Sequence, residues 1–377
     1  IFITLGGMKV IGYTDVVQVF FLILGGLVTT YLALNLVADE FGGSGVFDGF
    51  AFMSEKAGSH FDMIFTKDNP NYNELPGISV LIGGMLITNL YYWGCNQYIT
   101  QRALGADLKT ARSGILFAAF LKLLMPLIVV IPGIAAFVLY QQGHFQTEMI
   151  LDGKLHHDSA YPVLLNLLPS GLKGLAFAAL TAAIVASLAG KANSIATIFT
   201  LDIYKQKIDK DASEKKQVTI GKITVVLSIL TAIIIAPFLG IEKGGFKFIQ
   251  EFSGFLSPGV FAMFLLGFFW KKTTANAAMY SMIGGFVFSV ILKFLPGFVN
   301  LEPLYSIGFA VVNPDTGLYE IPFLDRMGIV FVLCIVGMFY ISRKETGKGD
   351  DVNSLEVDTS MFRVDRSFMI GTAVLVA

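Results

Sequence analysis

The sequence predicts an all-α membrane protein that crosses the bilayer many times. Hydrophobic residues make up 54% of the 377 residues, 34 of which are Phe, and charged residues make up only 15%. This composition is too apolar for an ordinary soluble domain. The apolar residues also form runs close to the 20 residues that a helix needs to span a bilayer. A formal net charge of −1 provides no basic field for nucleic acid, so we expect no such partner.

Eight complete apolar runs and the start of a ninth are expected to cross the membrane. They lie at residues 13–37, 77–99, 114–140, 171–201, 217–239, 246–270, 274–296, 325–342 and from 367 to the end. A short surface helix is predicted near Val46–Lys56. The chain shows no initiator Met or signal-peptide pattern and stops inside an apolar run, so we expect a portion of a protein with further amino-terminal helices.

Polar connections separate these runs, and their Lys and Arg content predicts the orientation. Fifteen Lys and Arg fall in one alternate set of connections, at 100–113, 203–216, 271–272 and 343–366. Only six fall in the other set, at 38–76, 141–170, 239–247 and 297–326. The first set is therefore predicted to be cytoplasmic, and the first run to point outward.

Two charged residues lie inside or at the edge of runs, where a charge costs a few kcal/mol and usually serves a site or pathway. Asp15 is at the cytoplasmic start of its run, where it is either functional or a carboxylate favoured by the helix dipole. Lys122 lies about 12 Å along its helix at 1.5 Å per residue. A lysine stem can snorkel over part of that distance, but we favour a functional role for Lys122.

The densest polar cluster in the apolar part is "TNLYYWGCNQYITQR", which begins at Thr88. Its amides and phenols suit a polyhydroxylated solute, because hydroxyls pair with amides and sugar rings stack on aromatic rings. Gly94 is a place where the helix could break and free backbone groups for a ligand. The alternative is a polar seam between packed helices. Gln250 and Glu251 lie at the start of another run. They are either binding residues or a cap of the helix at the membrane interface.

Small and hydroxyl residues dominate "LTAAIVASLAGKANSIATIF", and small residues allow close helix packing whatever the function. Packing does not explain Lys191. Ser187 and Lys191 are four residues apart and share a helix face, with Ala183 one turn further along. A hydroxyl on this face could bind a small hard cation together with carbonyl groups of a neighbouring broken helix.

The chain resembles the sodium/solute symporter family, nearest to its bacterial sodium/galactose and sodium/glucose cotransporter branch. The resemblance rests on "GYTDVVQVFFLILGG", "NLYYWGCNQYITQR", "GILFAAFLKLL", "GLKGLAFAALTAAIVASLAGKANSIATIFTLDIYK" and "FKFIQEFSGFLSPGVFAMFLLGFFWKKTT". It implies the inverted-repeat transporter fold, with five plus five helices, in a bacterial inner membrane. Within one transmembrane domain, residues 13–37 would be the last helix of the first repeat, 77–270 the second repeat and 274–377 additional helices.

The resemblance also implies roles for residues around the substrate. Asn89, Lys122 and Gln250 match sugar-binding positions of the family. Tyr92 matches a tyrosine that closes the sugar site on the cytoplasmic side, and Phe246 matches an aromatic residue of the outer gate. The bound solute would therefore be a sugar or a polyol.

For sodium, the resemblance implies ligands from the helix that contains Lys191. Ala183 matches a residue that contributes its carbonyl group, and Ser187 matches the second of two adjacent serines. Ala186 replaces the first of these serines, which leaves the coupling ion and the stoichiometry open. Asp15 matches an aspartate linked to the passage of sodium towards the cytoplasm.

Lys191 departs from the family pattern and is a candidate modulator of the ion site. In one hypothesis its ammonium lies one turn from the cation and repels or partly replaces it, with a lowered pKa in a dry site. In the other it points down the cytoplasmic vestibule or pairs with an acid such as Asp15. We favour the second hypothesis.

The predicted function is sodium-coupled symport of a sugar or polyol by alternating access, with sodium as the co-transported ion and no enzyme activity. Alternatives with the same fold are transport of myo-inositol, sialic acid, an amino acid or a vitamin, and coupling to protons or to no ion. A membrane-embedded enzyme would need paired carboxylates on facing helices. The adjacent pairs Asp39–Glu40 and Asp350–Asp351 lie in loops.

Overall fold

The computed structural model describes residues 2–67, 69, 71–151, 153–239, 245–313, 316–345 and 359–376. In chain order the α-helices are α1 (Phe2–Glu40), α2 (Gly45–Lys56), α3 (Ser79–Ile82), α4 (Gly84–Gly94), α5 (Gln97–Ala103), α6 (Leu108–Ile128), α7 (Val130–Gln141), α8 (Gln146–Met149), α9 (Ala160–Leu165), α10 (Ser170–Ile198), α11 (Glu214–Ile235), α12 (Gly245–Phe269), α13 (Ala275–Phe294), α14 (Glu302–Ser306), α15 (Phe323–Glu345) and α16 (Arg366–Val376). Two short antiparallel pairs are β1 (Ile150–Leu151) with β2 (Lys154–Leu155), and β3 (Val311–Val312) with β4 (Tyr319–Glu320). The predicted all-α class and the surface helix at 46–56 are confirmed.

Seven stretches of the described residues are long and apolar enough to cross a membrane. They are Gly12–Glu40, Leu108–Gln141, Ser170–Ile208, Glu214–Phe238, Phe248–Phe269, Ala275–Gly297 and Phe323–Glu345. Each coincides with a predicted run. The run from 367 corresponds to the shorter apolar helix α16, and the run at 77–99 is broken into short helices.

The helices form two compact units, which we describe separately. Unit 1 contains residues 1–61, 106–244 and 375–377, and unit 2 contains residues 62–105 and 245–374. The repeat boundaries inferred from the resemblance remain a prediction.

Unit 1 is built around the outward half of α1. Ala33, Val37 and Leu139 are buried in its main apolar cluster together with Met53 of α2. Gly49 lets α2 lie directly on α1, because a Cβ atom there would be 1.9 Å from the carbonyl oxygen of Leu34. The hydrophobic face of the short helix therefore closes the end of the unit.

The half of α1 that is predicted to be cytoplasmic packs against α10 through small residues. A Cβ atom at Gly25 would lie 3.1 Å from the Cβ atom of Ala176. Ala186, Ala189 and Gly190 of α10 are also buried. The small-residue composition of "LTAAIVASLAGK" therefore serves close packing, as the sequence predicts.

The long apolar run at 114–140 is interrupted at Val129, which lies outside the helical region of backbone conformation and separates α6 from α7. Pro132 cannot donate a hydrogen bond to the carbonyl group of Ile128, which weakens a continuous helix at this point. The hydroxyl of Thr30 in α1 donates to the carbonyl oxygen of Leu127 at 2.7 Å. The break is thus tied to α1.

At its predicted cytoplasmic end, α10 does not stop at Ile198. It continues as a π-helix over Phe199–Ile208, a form that is rare and normally limited to single turns. The hydroxyls of Ser194 and Thr200 are buried there, and neither has a hydrogen-bond partner among the described residues.

Helices on the predicted cytoplasmic side begin with side chains that cap free backbone N–H groups. Asp107 accepts hydrogen bonds from the hydroxyl of Thr110 at 2.6 Å and from the amide of Thr110 at 3.0 Å, and these two bonds, the hydroxyl first, lower the pKa of its carboxyl group. Ser213 caps α11 and Thr274 caps α13 in the same manner.

Unit 2 is held together by close contact between α12, α13 and α15. Its buried cluster contains Ala262, Ala277, Val330, Cys334 and Met338. The hydroxyl of Ser281 in α13 donates to the carbonyl oxygen of Gly259 in α12 at 2.8 Å. Glycines allow this approach of the two backbones.

We predict that Gly285→Ala destabilises the protein by about 1–3 kcal/mol, the usual cost of overpacking. A Cβ atom at Gly285 would lie 2.7 Å from the Cα atom of Gly259, so the helices would have to move apart. Gly284→Ala is the matched control, because its Cβ atom would be 3.4 Å from the Phe288 ring and helix propensity improves. Thermal unfolding in detergent measures both, and equal midpoints would contradict the prediction.

Candidate functional site

The amide-rich segment "NLYYWGCNQYITQR" forms the end of one helix and the start of another. Helix α4 ends at Gly94 and Cys95 follows it. Asn96 has extended backbone angles, and its side-chain oxygen accepts a hydrogen bond from the amide of Tyr98 at 3.0 Å. The break predicted at Gly94 is therefore present, and Asn96 serves as the cap of α5.

A second break, which the hydropathy did not indicate, lies at Gly83 between α3 and α4. Gly83 has φ −95° and ψ −111°, outside the helical region. At the adjacent Gly84, a Cβ atom would lie 2.7 Å from the Cα atom of Leu324 in α15. The run predicted over residues 77–99 is thus not one continuous helix, because the chain departs from helical geometry at Gly83 and again after Gly94.

Two of the predicted sugar-binding residues, Asn89 and Gln250, each contact Met85 in unit 2. The Asn89 amide nitrogen donates to the carbonyl oxygen of Met85 at 2.8 Å. The Gln250 amide nitrogen, from α12, lies 3.8 Å from the sulfur of the same Met85. Both side chains are half-buried. Asn89 and Gln250 are 161 positions apart in sequence, and their carboxamides lie at the same turn of α4.

Tyr92 is one helical turn beyond Asn89, so the two residues lie on the same side of α4. Its side chain is exposed, and its ring makes an edge contact with Trp93 at 5.7 Å between centroids. This position at the end of α4, just before the break at Gly94, is compatible with a side chain that moves over the carboxamides.

Two other predicted substrate residues are not joined to this pair. Lys122 lies on an exposed face of α6 in unit 1, so its grouping with Asn89 and Gln250 stays a prediction. Phe246 belongs to the first turn of α12, and its side chain lies outside the described residues. Its role in an outer gate also stays a prediction.

The predicted sodium ligands lie on α10 in unit 1. Ser187 is exposed, Ala183 is half-buried and Ala186 is buried. Ala186 lines a cleft between α1 and α10 together with Thr14 and Gln18. The hydroxyl that the family would place at residue 186 is thus missing from this cleft.

Asp15 lies on α1 and Lys191 lies on α10, the two helices that form this cleft. Asp15 is half-buried on α1, next to the cleft residue Thr14, and Lys191 is exposed on α10, one turn beyond Ser187. The structure therefore places Asp15 and the predicted sodium ligands on two packed helices. It places the ammonium group of Lys191 at the surface of unit 1.

An ion-pair network beside Gln250 was missed by the sequence reasoning. Glu251 accepts hydrogen bonds from Lys293 of α13 and, at 3.2 Å, from Arg326 of α15. Arg326 is buried, with only 10% of its side chain exposed. Arg326 is the single Lys or Arg in the connection at 297–326, which was the available signal. From the sequence alone, this residue has the pattern of an ordinary loop charge.

Comparison with known proteins gives concordant results. The model of the sodium:solute symporter family matches residues 1–285. The chain is 43% identical over 372 residues to a sodium/glucose cotransporter of Vibrio parahaemolyticus, covering 97% of this chain and 64% of the relative. It is 32% identical over 320 residues to human sodium/myo-inositol cotransporter 2, covering 79% of this chain and 46% of the relative. The chain thus spans less than two thirds of either relative.

Among solved structures, the chain is similar to the substrate-bound outward-open state of a Na⁺-coupled sialic acid symporter. The TM-score is 0.66 at 20% sequence identity, and the match covers 90% of this chain and 63% of the other. At this identity the likeness concerns the fold alone. It confirms the predicted transporter fold.

Proposed function

Because this chain belongs to the sodium:solute symporter family, we propose that it couples the entry of sodium to the uptake of a sugar or polyol, of galactose or glucose type, across a bacterial inner membrane. The observation that carries the proposal is that Asn89 and Gln250, from two different helices, both contact Met85. A carboxamide offers both a donor and an acceptor. Two of them from different helices can pair with adjacent hydroxyls of one solute.

Coupling would follow from linkage between the two sites. Sodium held by Ser187 and the Ala183 carbonyl favours the conformation that binds the sugar, and the sugar raises sodium affinity by the same factor. The two breaks around α4 supply a segment that can adjust as the ligands bind, as discontinuous helices do in transporters. Both ligands would be enclosed between Phe246 and Tyr92 before sodium leaves to the cytoplasm.

A second candidate is transport of myo-inositol, favoured by the 32% identity to sodium/myo-inositol cotransporter 2. A cyclic polyol presents the same adjacent hydroxyls to the carboxamides as a pyranose does. The ring oxygen and the exocyclic hydroxymethyl group of the sugar distinguish the two solutes.

The test is uptake of labelled galactose, glucose and myo-inositol into vesicles that contain the protein, with a sodium or a choline gradient. We expect saturable uptake that needs sodium, and a preference for one solute over the others by competition. Equal uptake in choline would overturn sodium coupling and favour a proton-coupled or uncoupled carrier. Uptake of none of the three would overturn the sugar or polyol assignment.

We predict that Lys191→Met leaves the sodium concentration for half-maximal uptake within about twofold of the original. The Lys191 side chain is exposed on α10, and an exposed charge interacts only weakly with a neighbouring ion. The matched variant is Ser187→Ala on the same face, which removes a proposed ligand and should raise that concentration by about tenfold, or 1.4 kcal/mol. A tenfold fall in this sodium concentration in the Lys191→Met variant would instead show that the ammonium group repels sodium.

A further inference from the structure

Four cationic side chains gather at the predicted cytoplasmic end of unit 2. Two lie in the turn between α12 and α13, and two lie in the last turn of α15. We call this group the basic rim; its members, all exposed, are Lys271, Lys272, Arg343 and Lys344. They follow directly on, or end, the apolar stretches Phe248–Phe269 and Phe323–Glu345. This is the depth at which basic side chains reach lipid headgroups.

Contacts below the basic rim bring its two halves together. The Trp270 ring stacks on Phe339 with centroids 4.8 Å apart and planes 18° apart. The Thr274 amide donates to the hydroxyl of Ser342 at 3.2 Å. Because these contacts join the α12–α13 turn to the end of α15, cations from two separate segments face one patch of the membrane surface.

Two of the four cations are held in place by aromatic rings. The guanidinium carbon of Arg343 lies 4.3 Å from the centroid of Phe339, and the ammonium nitrogen of Lys344 lies 4.4 Å from the centroid of Tyr340. Cation–π contacts of this kind reduce the freedom of the side chain. A stacked guanidinium keeps its N–H groups in the plane of the fork, the geometry that binds phosphate.

The carboxylate nearest in sequence, Glu345, is already engaged by the start of α13. It accepts hydrogen bonds from Thr274 and, at 2.8 Å, from the side-chain amide of Asn276. Glu345 thereby helps to fix the turn. Among the residues that the structure describes here, one carboxylate stands against four cations, so the basic rim carries a net positive charge.

The other lysine-rich connection at this side, residues 203–216, differs in this respect. Its five lysines are interspersed with three acids, and a fourth acid, Asp202, directly precedes the connection. Lys216 donates to Asp209 at 2.7 Å, and this hydrogen bond lowers the pKa of the Asp209 carboxyl group, which keeps it ionised. This connection is therefore a natural control for the basic rim.

We propose that the basic rim binds the phosphate group of an anionic phospholipid in the cytoplasmic leaflet. The stacked Arg343 donates hydrogen bonds to two phosphate oxygens, and the lysines of the α12–α13 turn pair with the phosphate from the opposite side. A lipid bound in this manner ties α12 and α13 to α15 at the membrane surface. Nothing in this site depends on which solute the protein carries.

The test is native mass spectrometry of the protein purified in detergent and titrated with phosphatidylglycerol or phosphatidylcholine. The test variant is Lys271→Gln with Lys272→Gln, which leaves the ring stacks intact. The control variant is Lys205→Gln with Lys207→Gln, in the other connection. At about 1 kcal/mol for each basic residue near an anionic surface, we expect phosphatidylglycerol to bind at least about tenfold more weakly to the test variant and unchanged to the control.

A further variant, Arg343→Lys, keeps the charge but removes the fork, and we expect weaker binding of phosphatidylglycerol in this variant as well. Equal losses in the test and control variants would overturn the proposal, because binding would then follow total charge alone. So would equal binding of phosphatidylcholine. Inorganic phosphate that displaces the lipid at millimolar concentration would assign the site to a free anion and overturn the lipid as its occupant.

Discussion

Replacing Arg326 with methionine should destabilise the protein by about 3 kcal/mol. Removal of one partner from a buried ion pair costs about 3–5 kcal/mol, because the remaining charge is left without compensation. The lower end applies here because Glu251 keeps its bond to Lys293. Thermal or denaturant unfolding in detergent, with ligand absent, measures the loss.

Two control variants separate this effect from a general loss of charge. Lys293→Met should cost about 1 kcal/mol or less, because 35% of its side chain is exposed against 10% for Arg326 and exposed ion pairs contribute little. Adding Glu251→Gln to Arg326→Met should recover part of the loss, because the carboxylate that has lost its buried partner is then neutral. Equal losses from Arg326→Met and Lys293→Met would show that burial of the network is unimportant.

Replacing Gln250 with alanine should raise the solute concentration for half-maximal binding by at least about tenfold. Loss of hydrogen bonds to a desolvated hydroxyl costs about 1–3 kcal/mol, and 1.4 kcal/mol corresponds to tenfold. Asn89→Ala should act in the same direction. Equilibrium binding of labelled solute in saturating sodium measures both without a contribution from transport rate.

The contact that both carboxamides make with Met85 gives this prediction a sharper form. If they hold one solute, the double variant should lose less affinity than the sum of the two single losses, since neighbouring sites couple. Gln141→Ala at the end of α7 in unit 1 is the control for loss of a glutamine, and it should bind like the original. Purely additive losses, or normal binding in Gln250→Ala, would contradict a shared site.

Hydropathy was sufficient to locate the membrane helices, because a bilayer requires long apolar runs with internal hydrogen bonding. It was less informative about where helices end. Helix α10 and its π-helical extension run on to Ile208, through Asp202, Lys205 and Lys207, well beyond the predicted boundary at residue 201. Charged residues can continue a helix outside the membrane, where apolar periodicity gives no signal.

The two unpredicted breaks arise from tertiary contacts. Gly83 separates two helices where Gly84 must fit against the backbone of Leu324. Val129 lies where Thr30 donates to the carbonyl oxygen of Leu127, 97 residues away. Local composition, such as the pair Gly83–Gly84, marks these places only once the neighbouring helix is known.

The same limit applies to the candidate site. The resemblance supplied Asn89 and Gln250 as separate positions, but not their shared contact with Met85. Glu251 and Arg326 are 75 residues apart, and a single sequence does not indicate that they pair. For the predicted sodium ligands, the sequence alone was enough to show that Ala186 stands where the resemblance implies a serine. The structure adds that this alanine lines a cleft.

The π-helix at Phe199–Ile208 gives the predicted cytoplasmic end of α10 a wider winding than the α-helix before it. A π-turn holds one residue more than an α-turn, and each residue of an α-helix corresponds to about 100° around the axis. Conversion of one π-turn to α would therefore swing Lys205 and Lys207 around the helix while the membrane-embedded part of α10 stayed in place. Such a conversion would turn the predicted cytoplasmic end of α10 without sliding the helix through the bilayer.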